Sequence, residues 1–348
     1  MKLVLTAGLT ATTLVLGTGP ALAAPYDWHE TPIGVKALLP YSISSGGGAL
    51  WTVGATDDTR NFRPVAAQWV GGLWKTTPQP VAFGRLLDVA VDGPTNAWAA
   101  GAQETPYQAR LLLQHWNGKA WKEVVAPTFT DKENREFYTV ATQGGQVWAA
   151  GHGPGADGLD AGIVYRYDGK KWTSVNDAVS AASSFIYDIA PLASDNVWIA
   201  AENGVKHFDG RRWRDAALPS PDIHLRGLAV KSSKDIWAVG HREDPQLWRR
   251  PVAYHYDGKA WTEVATPAET GELDSVSLVN GQPVAVGESP SGPYIVRMTG
   301  TGFVREADPA GAGTLLSSTV SAGRLWIAGW AATGGDVPDP YVANTSSY

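Results

Sequence analysis

The chain has 348 residues and no cysteine. Disulfide frameworks, thiolate metal sites, cysteine nucleophiles and a lipid anchor through cysteine are thereby excluded. Charge is scarce too. Asp, Glu, Lys and Arg make up 18% of the chain, the formal net charge is −6, and no basic run stands out. Phosphate and anionic surfaces need clustered positive charge, so nucleic acid and anionic membrane are not expected partners. Helical periodicity is missing. Beyond the first residues, no apolar run is long enough to cross a bilayer. At the start, Lys2 precedes an apolar stretch over residues 3–17, and Ala21-Leu22-Ala23 forms an A-x-A cleavage site before Ala24-Pro25. This reads as a secretory signal peptide, residues 1–23, since about 15 apolar residues is short for a span. Residues 24–348 are then the exported chain.

What is plentiful is tryptophan, glycine and proline, with 16, 39 and 23 copies. Tryptophan recurs in a fixed setting. A short apolar strand built on one Trp and ending at Gly occurs at Trp51–Gly54, Trp98–Gly101, Trp148–Gly151, Trp237–Gly240 and Trp326–Gly329. Trp198–Ala201 ends on Ala instead, and Val284–Gly287 is a degenerate copy. The seven copies start 39 to 50 residues apart. A second aromatic follows at Trp74, Trp121, Trp172, Trp213, Trp261 and Phe303. Asn117-Gly118, Asp168-Gly169, Asp209-Gly210 and Asp257-Gly258 precede four of these, as tight hairpins between the last two strands of a unit would require. In the second unit the four strands read as residues 86–91, 97–101, 111–116 and 121–125.

Four antiparallel strands repeated seven times predict an all-β fold, a seven-bladed β-propeller. The seventh unit has its Trp326 strand and a third strand near Tyr341 to Ala343, and then the chain ends. Asp27-Trp28-His29-Glu30-Thr31-Pro32 matches Ala260-Trp261-Thr262-Glu263 and Pro267. The N-terminal strand is therefore expected to complete the last blade and close the ring, leaving one domain over residues 24–348. The six Trp residues of the apolar strands are expected between blades, and those of the fourth strands at the outer edge.

The W-[AI]-[VA]-G strand followed by [YF]-D-G-[KR]-x-W resembles the repeats of secreted bacterial propellers loosely grouped with kelch and galactose-oxidase-type propellers. The resemblance covers nearly all of the mature chain. It implies fold and not function, since propellers host binding, scaffolding and many chemistries. The chain departs from relatives of that group. The kelch double glycine is absent, a Tyr–Cys crosslink cannot form without cysteine, and the sialidase Asp-box is not evident. No motif matches the streptogramin lyases, which are propellers with metal-assisted chemistry. G-x-S-x-G, H-E-x-x-H, a P-loop and a dinucleotide fingerprint are missing as well.

Candidate functional residues follow from register. The residue after the terminal Gly reads Ala55, Ala102, His152, Glu202, His241, Glu288 and Trp330 around the ring. A second set is expected just before the inner strands: Arg85, Glu136, Tyr138, Tyr187, His224, Arg226, Glu272 and Asp274. Both sets belong on the face that carries the second-to-third strand loops. His152, His224, His241, Glu202 and Glu272 form a candidate catalytic or cation-binding group, because imidazoles and carboxylates hold divalent cations or act as acid and base. Arg85, Glu136, Tyr138, Tyr187, Arg226, Trp248, Glu288 and Trp330 are candidate ligand contacts, exposed Trp beside Arg and carboxylate being suited to stacking on a sugar or ring. Equivalent residues of neighbouring blades stand on the order of 10 Å apart, which argues against a shared metal. Loops at Asp57–Arg60, Gly153–Asp160, residues 241–250 and Asp336–Asp339 share the face, and the Gly/Asp loop lacks the full EF-hand pattern. The favoured expectation is a monomeric, secreted, non-catalytic propeller that recognises an extracellular glycan, small molecule or protein. A metal-assisted lyase or hydrolase with a His/Glu site at the channel mouth, which could take a divalent cation, is the alternative, and a structural cell-surface partner is the third.

Overall fold

A computed structural model describes residues 25–346, apart from 57–61, 106–107, 127–133, 155–159, 177–184, 221, 247 and 332–338. The signal segment therefore lies outside the described residues. Seven four-stranded antiparallel sheets form the fold, and no helix occurs among the described residues. Among the described residues no helix is long and apolar enough to cross a membrane. The inner strands are Leu38–Gly46, Arg85–Gly93, Glu136–Gln143, Ile186–Ala193, Ile223–Ser232, Glu272–Val279 and Ala312–Ser321. In six blades the next three strands follow in chain order. The seventh sheet takes its outer strand from the other end of the chain, where Trp28, His29 and Glu30 pair with Thr345, Asn344 and Ala343. The ring is closed as expected, by hydrogen bonds rather than by a crosslink.

The tryptophan pattern has a packing cause. Trp51, Trp98, Trp148, Trp198, Trp237 and Trp326 are each at most 8% exposed. The fourth-strand aromatics are buried equally well and meet the apolar-strand Trp of the preceding blade. Trp121 packs edge-on against Trp51 at 5.1 Å, Trp261 against Trp198 at 5.8 Å and Phe303 against Trp237 at 5.9 Å. Both sets are thus interblade. A flat sheet face cannot bury itself, and a large ring supplied from each side fills the wedge between two twisted blades. The hairpins differ slightly from expectation. The connection is four residues rather than two: Tyr256 pairs with Trp261, and Asp257 Oδ1 accepts from the N–H groups of Lys259 and Ala260. Gly258 still has the positive φ, 93°, that makes Gly the right residue there.

Every inner strand carries a β-bulge near its start, one residue before Ser42, Asp88, Thr139, Asp188, Gly227, Ser275 and Ser317. A bulge frees backbone N–H groups and re-aims a side chain. The freed groups turn toward a central channel of about 340 Å³. Two carboxylates collect them. Asp88 accepts from Val89 N–H and Ser42 Oγ–H, and across the blade boundary from Val140 N–H. Asp188 accepts from Ile189 N–H, and across the next boundary from Leu228 N–H. Ser317 and Ser275 do the same for Ile43 and Ser318.

Candidate functional site

The bulge decides what reaches the loop face. Opposite it, Gly54, Gly101, Gly151, Gly240, Gly287 and Gly329 pass so close to the inner strand that a Cβ would lie 1.9–2.1 Å from a carbonyl oxygen. The terminal Gly of the repeat is therefore required by this approach. The ladder resumes beyond it and joins the two candidate sets in cross-strand pairs: Arg85 with Ala102, Glu136 with His152, His224 with His241, and Glu272 with Glu288. Tyr138, Tyr187, Arg226 and Asp274 are the bulged residues of blades three to six. The second set thus lies within the inner strands rather than before them. Bulging gives it a shared direction that strict alternation would not.

Blades three and four present rings. Tyr138 stacks on His152 at 5.2 Å and on Tyr187 at 5.8 Å, with interplanar angles of 20° and 19°. Phe185 leans on His152 at 4.5 Å. The Arg226 guanidinium sits 4.1 Å from the Tyr187 ring centre, a cation–π contact. Burial pushes the phenols of Tyr138 and Tyr187 up, so both are neutral donors at ordinary pH. Burial also lowers His152 against the pull of Glu136, and its Nδ1 has no hydrogen-bond partner among the described residues. Glu136 is held by Arg85 at 3.2 Å.

Blades five and six present charge. His241 is 2% exposed and stacks on His224 at 5.0 Å. Its Nδ1 lies 3.1 Å from Glu272 Oε2, and Arg249 donates to the same oxygen at 2.5 Å. Burial raises Glu272, but the close approach of His241 and the charges of Arg226 and Arg249 outweigh it and bring its pKa to about 2. Asp274, beside it, goes the other way. Desolvation and the charge of Glu272 push it to about 8, and its Oδ2 is unpartnered among the described residues. His224 is lowered by desolvation and by His241, with Glu202 3.9 Å from its Nδ1. On the other side, His241 Nε2 lies 3.8 Å from Glu243 Oε1.

The five candidate catalytic residues do not form one group. His224, His241, Glu202 and Glu272 converge, while His152 belongs to the ring stack one boundary away. Residues 241–244 continue the second strand of blade five, Asp235–Asp244, where a loop was expected. Glu243 is two residues past His241 and so shares its face, while Arg249 pairs with it from the third strand. Glu243 and Arg249, expected only as part of the loop over residues 241–250, join the site for that reason, and Phe185, which the sequence does not single out, is placed there by accepting the Glu202 N–H. Glu288 accepts from Thr314 Oγ1–H at 3.0 Å. Trp330 pairs with Thr314 and is half-buried. Trp248 opens the third strand opposite Asp244, and its side chain lies outside the described residues, as do residues 57–60, 155–159 and 336–338. His115, His207 and His255 are structural. Each stacks on the Trp of its own blade, at 4.3, 4.2 and 4.4 Å, and bonds to Asn96, Asn196 or Asp235.

Blade four shapes the space around this sector. Its second and third strands are joined by only Glu202 and Asn203. Blade five rises higher, to Asp244. The step leaves a cleft of about 690 Å³ lined by Glu202, Asn203, Ala216, Leu218, Ser220, Asp222, Ile223 and His224. Asp222 holds the left-handed φ of 56°, which a short polar side chain tolerates.

No protein-family model and no curated protein matches the sequence. Solved structures do. The WD40 β-propeller domain of Doa1 superposes with a TM-score of 0.62 at 11% identity, over 92% of this chain and 97% of that one. The GH74 xyloglucanase of Xanthomonas campestris gives 0.62 at 13%, over 91% of this chain and 55% of that one. The extracellular domain of a B. thetaiotaomicron protein described as a hybrid two-component system gives 0.62 at 12%, over 92% and 40%. Likenesses at this identity carry the fold alone: the chain is a seven-bladed β-propeller.

Proposed function

We propose that the protein is exported and binds a carbohydrate on its loop face, across the sector of blades three to five. The observation that carries this reading is the cleft beside Glu202 and His224, together with the neighbouring row of Tyr138, Tyr187 and Arg226. Sugars offer apolar C–H faces that stack on rings and hydroxyl groups that bind carboxylates, amides and imidazoles. The cleft has both kinds of surface, with Leu218, Ala216 and Ile223 against Glu202, Asn203, Ser220 and Asp222. Its volume suits a ligand of one to a few sugar rings, by the ordinary range of about 300–1,000 Å³ for ligand sites. The N-terminal signal pattern supports export.

Calorimetric titration with a panel of oligosaccharides tests this. A binder should be found whose affinity falls about 3- to 10-fold in Tyr187→Ala, from the roughly 0.5–1.5 kcal/mol that an aromatic contact adds. Asn203→Ala, within the exposed turn, should weaken it as well. A binder indifferent to both substitutions would move the site elsewhere. A panel without any binder would sink the carbohydrate reading. The grouping of His224, His241 and carboxylates favours one second reading, a metal-assisted lyase or hydrolase using the same cleft.

A further inference from the structure

We infer that His224, His241 and Glu243 form a binding site for a divalent transition-metal ion, with zinc the best fit. The site goes beyond carbohydrate recognition and stands on its own geometry. One ligand atom from each of the three residues lies within 4.8 Å of the other two. All three come from one blade: His224 and His241 are a cross-strand pair, and Glu243 follows on the same face. The spacing of about 10 Å between sheets, which argues against a metal shared around the ring, therefore does not apply. Tetrahedral zinc at about 2.0–2.1 Å places its ligand atoms roughly 3.3 Å apart. A rotation of Glu243, 59% exposed at its side chain, and a turn of the His224 ring out of its 18° stack on His241 would be needed to reach that.

The arrangement behind His241 is the second observation. A metal-bound imidazole ordinarily gives its other ring nitrogen to a carboxylate, which fixes its tautomer and direction. His241 Nδ1 has Glu272 at 3.1 Å, and Arg249 anchors Glu272. Its Nε2 is the nitrogen that faces Glu243. Glu243 is tied to Arg249 only by a long ion pair, with Nε 3.9 Å away. Glu202 stands in a looser version of the orienting role, 3.9 Å from His224 Nδ1. Two imidazoles and a carboxylate suit zinc, cobalt or nickel, whereas calcium and magnesium take oxygen ligands. Three protein ligands leave a fourth position, and His224 also lines the cleft. A water or a hydroxyl group of a cleft ligand can occupy it.

Untagged mature protein, stripped with a chelator, would be titrated with Zn²⁺ by calorimetry and with Co²⁺ by visible absorption. One ion per chain, with micromolar or tighter affinity and a tetrahedral cobalt spectrum, is expected. His224→Ala and Glu243→Gln should each weaken Zn²⁺ binding at least 10-fold, and Glu272→Gln about 10- to 100-fold. His255→Ala, on the opposite face, should leave it unchanged. Circular dichroism shows which variants fold. Glu243 is exposed, so Glu243→Gln keeps the test decisive if Glu272→Gln does not fold. Absence of Zn²⁺ binding to the stripped protein overturns the inference, as does binding that survives both His224→Ala and Glu243→Gln. Because the readout is the metal alone, failure here and failure of the sugar titration are distinguishable.

Discussion

At Gly101 a methyl group would meet the Arg85 carbonyl oxygen at 1.9 Å. That contact explains why the repeat ends on Gly more economically than any role in binding. Gly101→Ala should cost about 1–3 kcal/mol or more, as overpacking against fixed backbone does, measurable by urea denaturation. Blade four is the natural control. There Ala201 stands in the Gly position opposite Ile186, and the Phe185 carbonyl accepts from the N–H of Glu202. Ala201→Gly should therefore cost no more than about 1 kcal/mol, the entropic penalty of Gly in a strand. If Gly101→Ala proves as mild, the crowding has been misread. The residue scale was partly legible in the sequence. His241 was picked out by register, but Glu243 was not, because nothing local says that the strand runs four residues past Gly240.

Among elements, the bulged inner strand does most to set the molecule's properties. Asp188 bridges blades four and five by accepting N–H groups from Ile189 and Leu228. Asp188→Ala leaves both without an acceptor and should destabilise by about 1–3 kcal/mol for each. The same carboxyl predicts a pH dependence. Desolvation, with the charge of Asp88 adding to it, outweighs its hydrogen bonds and raises Asp188 from 3.8 to about 7. The folded state then holds the proton more tightly than the unfolded state, so this group's contribution declines as pH rises from about 4 to 7. Glu272 has the opposite sign, its contribution being lost as pH falls from 4.5 toward 2. Melting curves of the parent and Asp188→Asn across pH 4–8 isolate the first effect. Their difference should shift against the parent as pH rises, and a flat difference would contradict it. None of this was visible in the sequence. Ser42, Asp88, Thr139 and Asp188 align only once the bulge is known, and a bulge has no local signature in these strands.

The whole molecule is a ring whose two ends meet in one blade. Trp28 packs on the core between blades six and seven, and Thr31 N–H donates to Val342 O at 2.7 Å. Removing residues 24–31 opens that blade and exposes its apolar edge. The melting temperature should fall by roughly 6–12 °C, taking about 3 kcal/mol at 2–4 °C for each. An unchanged melting temperature would mean that the strand is dispensable for closure. Closure, blade number and the interblade place of the apolar-strand Trp residues could be read from the chain, because each depends on a short pattern repeated at a fixed period; the fourth-strand Trp residues, expected at the outer edge, pack between blades as well. The site follows a different logic. It arises where the repeats differ, at a two-residue turn in blade four, a longer hairpin in blade five and the unlike residues, Tyr187, Arg226 and Asp274, that the shared bulge presents in blades four to six. The sequence by itself determined the architecture, since buried rings and turn residues act locally and identically in each unit. Only the tertiary structure decided that His224, His241 and Glu243 meet while His152 stands apart, because distances between unlike side chains depend on strand register and blade height, which no single repeat encodes.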